Sequence, residues 1–183
     1  MADRRVFVDV FGEIVAAVRE RYDIILAPGE VAETPYYEYG HFAEIVKILC
    51  QKDEVKEYSF PLVILVQDFE EKNIGTSFEF AVSPRVLIVA ETKQEYSSKQ
   101  RYDNVFKTVL YPIYKLLREE ICNSSDIFQS YDHELKFSKH DRLFWGTEQA
   151  GNSAGLVLNE FLDAIDIKFS ELNVFKAAEI CIL

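Results

Sequence analysis

The chain has 183 residues, of which 49% are hydrophobic and 14% aromatic, including 14 Phe and 10 Tyr. That is enough apolar material for one sizeable core, and it excludes a disordered chain. With 31 acidic against 20 basic residues the formal net charge is -11, and no stretch gathers Lys and Arg into a stripe. Tight, sequence-independent nucleic-acid binding is therefore excluded, because it needs cations to neutralise phosphates.

The opening segment MADRRVFVDVFGEIV carries Asp9 and Glu13 inside its apolar stretch, which argues against a secretory signal. Apolar residues then recur at Phe7, Phe11, Ile14, Val15, Val18 and Tyr22, one face of an amphipathic helix. Pro28, Gly29 and Pro35 mark a loop that ends in the aromatic run YYEYGH. Phe42, Ile45, Val46 and Leu49 give a second, short helical stripe. FPLVILVQDF, from Phe60 to Phe69, is a continuous apolar run rich in branched residues, expected as a central strand covered on both faces. After EEKNIGT, the segment SFEFAVSPRVLIVAETK predicts a long strand interrupted at Ser83-Pro84, because proline cannot donate to a ladder. The two strands are expected to form a hairpin.

A helix is predicted from near Ser98 to Cys122, with Tyr102, Phe106, Val109, Ile113, Leu116, Leu117 and Ile121 on one face and a kink at Pro112. Two further strand-like segments, about 133–145 and 158–169, flank the Gly/Ser/Asn-rich stretch 146–155, expected to be mobile. The sum is a single α+β domain over 1–183: a mostly antiparallel sheet of about four strands with helices packed on it, and a C-terminal tail after 170. No segment approaches 18 uncharged apolar residues, so no membrane span is expected and the chain should fold in the cytosol.

Motifs for chemistry are sparse. Cys50, Cys122 and Cys181 are scattered and read as reduced core thiols; with His41, His133 and His140 in separate segments, neither a metal nor a cofactor is expected. P-loop, GxGxxG and HExxH signatures are lacking, and the one GxSxG spacing, GNSAG at 151–155, falls in the Gly/Ser/Asn-rich stretch. Asp132 and Asp141 flank the last two histidines, but residues seven apart in a strand point to opposite faces. The one enzymatic pattern is Asp68 with Glu91 and Lys93. VILVQD and VLIVAETK have the shape of a restriction-endonuclease-like magnesium site, in which carboxylates at two strand ends hold the ion and the lysine assists the attacking water. Polar residues also simply begin where a buried strand surfaces, and the acidic balance opposes a DNA substrate.

Aromatics beside charges in YYEY and DRLFWG suggest contact surfaces: Tyr36, Tyr37, Tyr39, Arg142, Phe144 and Trp145, together with the hairpin residues Glu70, Glu71, Lys72 and Asn73. Capping of the sheet ends is the alternative role for the two aromatic clusters. At FPLVILVQDFEE, RYDNVFKTVLYPIYKLL, DRLFWG and YYEYGH, the sequence resembles phage and prophage proteins of the tail-terminator or head-tail joining (neck) kind, over about Phe7 to Phe169. The resemblance implies a noncatalytic virion protein, folded in the host cytoplasm, that closes into a homo-oligomeric ring, commonly a hexamer, on the tail tube. It further implies tube and neck proteins as partners, DNA only as a passing contact, no membrane, and no catalytic residues. The helix near Phe42–Leu49 and the tail after Ser170 depart from that pattern. A magnesium-dependent nuclease and an intracellular protein-binding adaptor are the alternatives.

Overall fold

The computed structural model describes residues 6–25, 34–41, 43–45, 49, 60–67, 69–72, 78–125, 127–128, 136–145, 157–159, 161–169 and 171–175. Helix α1 (Phe7–Ile25) carries Asp9 in its first turn, where a carboxylate complements the helix dipole. It buries Phe7, Phe11, Ile14 and Val18, the stripe read from the sequence. Residues 43–45 and 49 are helical, in the region of the second stripe, with Ile45 and Leu49 buried.

The main sheet has five strands in the order β1 (Tyr36–Gly40), β2 (Leu62–Val66), β5 (Arg85–Glu91), β9 (Leu162–Lys168), β6 (Lys136–His140). Only β1 and β2 run parallel; the other pairs are antiparallel. The expected α+β, mostly antiparallel architecture is present, with five strands in this sheet rather than about four. All five residues of β2 are buried, because both faces of the sheet are covered. Val63, Leu65, Val86, Ile88, Ile165 and Ile167 face a core shared with α1 and the long helix. Leu62, Ile64, Val66, Leu87, Val89 and Ala164 face a second core with Ile45, Leu49 and Leu143.

The three central strands continue past a corner into a second sheet of order β10 (Leu172–Phe175), β4 (Phe78–Val82), β3 (Glu71–Lys72). β2 with β3 and β4 with β5 form the expected hairpin, Val66 opposite Arg85 and Glu71 opposite Val82. Ser83-Pro84 is the corner: Pro84 has no N–H to place in a ladder, while its carbonyl accepts from Phe169 N (3.1 Å). Of the segment after residue 170, expected as a tail, the described residues 171–175 pack through Leu172 and Val174 as β10 against β4. β7 (Leu143–Trp145) pairs with β8 (Val157–Asn159) in a small separate ladder. The single strand expected over 133–145 is split at Asp141-Arg142, where Arg142 takes φ 60 and turns the chain out of β6.

The long helix is made of three consecutive segments: α2 (Ser98–Arg101), a π-helical stretch (Tyr102–Leu110) and α3 (Tyr111–Asn123). Ser97 caps it, accepting from Gln100 N while Gln100 Oε1 accepts from Ser97 N, so two orphan N–H groups are satisfied. The disruption expected at Pro112 takes the form of the π-helix before it. Tyr111 N donates to Phe106 O, five residues back, and Pro112, which has no N–H, stands where the wider spacing gives way to the α spacing. Arg21 ties α1 to α3 through Glu119 (2.6 Å) and Glu120. Cys122, expected in the core, is exposed, one position past the buried Ile121 of the helix stripe; Cys50 and Cys181 lie outside the described residues.

Ile88 lies at the centre of the sheet and is fully buried against both helices. Ile88→Ala is expected to cost about 2–5 kcal/mol, read as a lower urea midpoint at unchanged slope.

Candidate functional site

Two of the sequence segments that carry the phage resemblance, RYDNVFK and DRLFWG, meet in space. Arg101, the first residue of RYDNVFK, is fully buried between the start of the long helix and the sheet. Its Nη1 donates to Asp163 Oδ1 (2.9 Å), its Nη2 to Lys93 O (2.9 Å), and its Nε to Tyr96 O (3.2 Å). Asp141 Oδ1 stands 3.5 Å from Nε. Arg142, from DRLFWG, donates its backbone N–H to the same Asp163 oxygen (2.9 Å) and its Nη2 to Tyr96 O (3.2 Å). A buried guanidinium is tolerable only with such partners, since its five donors must be matched in a low-dielectric site. The cluster fastens the loop after β5, the helix start, the turn after β6 and strand β9 to one another.

A second ion pair lies on the opposite face of β9. Arg85 makes a two-pronged contact with Asp166, Nε to Oδ1 at 3.0 Å and Nη2 to Oδ2 at 2.6 Å. His140 Nε2 is 3.8 Å from Oδ2, close enough to act through charge when protonated but too long for a hydrogen bond. Burial pushes the Asp166 carboxyl up, but His140 and the Arg85 fork outweigh it and hold the group at about 2.

The residues of the magnesium-site pattern are only partly brought together. Glu91 and Lys93 line a cavity of about 250 Å³ with Thr92, Tyr96, Asn104 and Val105. Among the described residues Glu91 is the only carboxylate in that lining, whereas a magnesium site draws on more oxygen ligands than one side chain supplies. Asp68 lies outside the described residues. The strand that leads to it ends at Val66 opposite Arg85, while Glu91 is at the other end of β5 opposite Leu162, six residues or about 20 Å along the strand. Among the described residues no group of three His, Cys, Asp or Glu could hold a metal. His133 and Asp132 are outside the described residues.

The expected contact residues fall in three places. Tyr36, Tyr37 and Tyr39, read from the sequence as loop or strand-end residues, form β1, an outermost strand of the main sheet among the described residues. Tyr37 turns inward: its ring lies 3.1 Å from where a Cβ on Gly12 would be, and its hydroxyl donates to Val8 O (2.9 Å). Burial pushes its hydroxyl pKa well up. Tyr39 is 51% exposed. Glu70, Glu71 and Lys72 are exposed at the far end of the hairpin, with Lys72 3.7 Å from Glu171, while Asn73 and the rest of the turn are outside the described residues. Arg142 belongs to the buried cluster, and the backbone of Phe144 and Trp145 forms β7. The stretch 146–155 and residues 176–183 are outside the described residues.

The other outermost strand among the described residues is β6, which lies within the strand expected over 133–145 but whose residues were not singled out as contacts. It carries Phe137, 40% exposed, whose ring is 4.7 Å from Tyr114, and Lys139, whose Nζ is 4.2 Å from the Phe106 ring centroid. The signal was present in KFSKH, which alternates but is polar on one side. No protein-family model and no curated protein matches the chain.

Arg101→Met leaves Asp163 buried without its counter-charge and is expected to cost about 3–5 kcal/mol, measured by chemical denaturation. Asp166, held below its usual 3.8, contributes stability that is complete above about pH 4 and is lost as pH falls toward 2. From that shift wild type should lose about 2 kcal/mol more than Asp166→Asn between pH 5 and pH 2, compared by urea titration at each pH.

Proposed function

We propose that this chain is a noncatalytic structural subunit of a bacteriophage neck or tail, of the tail-terminator or tail-completion kind, that works by closing into an oligomeric ring. The observation that carries this reading is the pair of dissimilar outer strands. A ring formed by rotation needs two different, complementary patches on each subunit. β1 offers Tyr39 and β6 offers Phe137, on opposite edges of one sheet. Half-exposed aromatics of this kind are enriched at the buried centres of protein contacts.

Two further features support it. Arg101 of RYDNVFK and Arg142 of DRLFWG are taken up by Asp163, Asp141 and backbone carbonyls, so their chemistry is spent on holding the subunit rigid. The net charge of -11 suits the wall of a DNA passage, along which the genome must slide without sticking. The partners of such a ring are copies of itself, the tail tube and the neck proteins, with the virion as its site of action.

Light scattering of the purified chain over a range of concentrations tests the reading. A single species of about six subunits is expected, unchanged by magnesium or by Glu91→Ala, and converted to monomer by Tyr39→Asp. A monomer at every concentration overturns the reading.

A further inference from the structure

The outer strands specify how neighbouring copies would join. β1 and β6 are each five residues long, and the pairing order gives them opposite directions: β1 runs with β2, β5 runs against it, β9 with it, and β6 against it. When copies are related by rotation about an axis along the strands, β1 of one copy therefore meets β6 of the next antiparallel.

The faces match as well. On β1, Tyr37 and Tyr39 lie on the helix side, since Tyr37 pairs with Val63 of the helix-side core and its ring is 6.0 Å from Phe11 of α1. On β6, Phe137 and Lys139 lie on that same side, paired with Ile167 and Ile165 and packed against Tyr114 and Phe106 of the long helix. Residues opposed across a ladder share a face, so a full five-residue overlap sets Tyr39 opposite Phe137, Tyr37 opposite Lys139 and Glu38 opposite Ser138. Two of the most exposed aromatics among the described residues thus cover each other. Glu38 gains the Lys136 and His140 positions as its diagonal neighbours, an acidic strand facing a basic one. A slip of one residue would put the helix-side residues of one strand on the wrong face, and a slip of two would separate Tyr39 from Phe137.

Building on the ring reading, we propose that β1 of each copy pairs antiparallel with β6 of the next in this register, so that one continuous sheet runs round the assembly. The partner is a second copy of the chain, and the contact buries the two strand edges that would otherwise invite uncontrolled association.

The test is cross-linking by cysteine. In a background with Cys50, Cys122 and Cys181 replaced by alanine and ring mass confirmed by light scattering, Glu38→Cys and Ser138→Cys are placed on one chain and oxidised. Opposed positions in an antiparallel pair hold their Cβ atoms about 4.5–5.5 Å apart, within reach of small adjustment to a disulfide. The expected result is a ladder on a non-reducing gel that stops at the number of subunits in the ring. Mixing the two single variants should give dimers only, and Glu70→Cys, on the hairpin, should give no ladder with Ser138→Cys. Rings of the right mass without the Glu38–Ser138 ladder overturn the strand pairing while leaving the ring reading in place. Absence of rings in the wild-type chain overturns both.

Discussion

Arg101 is buried with no exposed surface, and its guanidinium reaches three separate parts of the chain: Asp163 on β9, the carbonyls of Lys93 and Tyr96 after β5, and Asp141 in the turn after β6. Taking a cation out of water is costly, and only this full set of partners offsets the cost. The direction of the long helix across the sheet, the turn that ends β6 and the departure of β7 from the sheet plane are all fixed at this point. Asp163 serves two segments at once by accepting from both the Arg101 guanidinium and the Arg142 backbone N–H. The left-handed backbone at Arg142 is the conformation that lets its N–H reach that oxygen while the side chain turns back to Tyr96.

From that anchor the architecture divides into two cores on either side of one sheet, joined by strands that turn a corner. Because β2, β5 and β9 are buried on both faces, their interiors are largely apolar, and any charge within them needs a dedicated partner. Asp163 and Asp166 are the two carboxylates in LDAIDIK, and each has its arginine, on opposite faces of the strand. The helix register change before Pro112 is a similar accommodation, in which a missing donor is met by a wider turn rather than by a break.

The parts of the fold legible in the sequence are those with a one-dimensional signature. The run VILV, the alternation at Phe80 and Val82, and the 3.6-residue stripe from Phe106 to Ile121 each announce their element because burial alone dictates the pattern. β1 was hidden because YYEYG sits between a proline and a histidine, buries only Gly40 fully, and owes its strand form to a parallel partner 26 residues further on. Arg101 and Asp163 are 62 positions apart, and no local pattern links them. Two aspartates inside an apolar strand were nevertheless a readable sign that buried cations must come from elsewhere. The separation of Val66 from Glu91 followed directly from the hairpin: two antiparallel strands in sequence put the end of the first beside the beginning of the second, so consecutive strand ends cannot share an ion.

The single parallel pair, β1 with β2, has a consequence for how sheets can be extended. Five strands alternating strictly up and down would have both outer strands pointing the same way, and any head-to-tail array of copies would meet at a parallel seam, which has the less favourable hydrogen-bond geometry. Inserting one parallel neighbour inside the subunit reverses the polarity of one edge relative to the other. In the proposed strand pairing the weaker seam lies within one chain, where covalent connection and the surrounding core hold it, and the joint between copies has the stronger geometry.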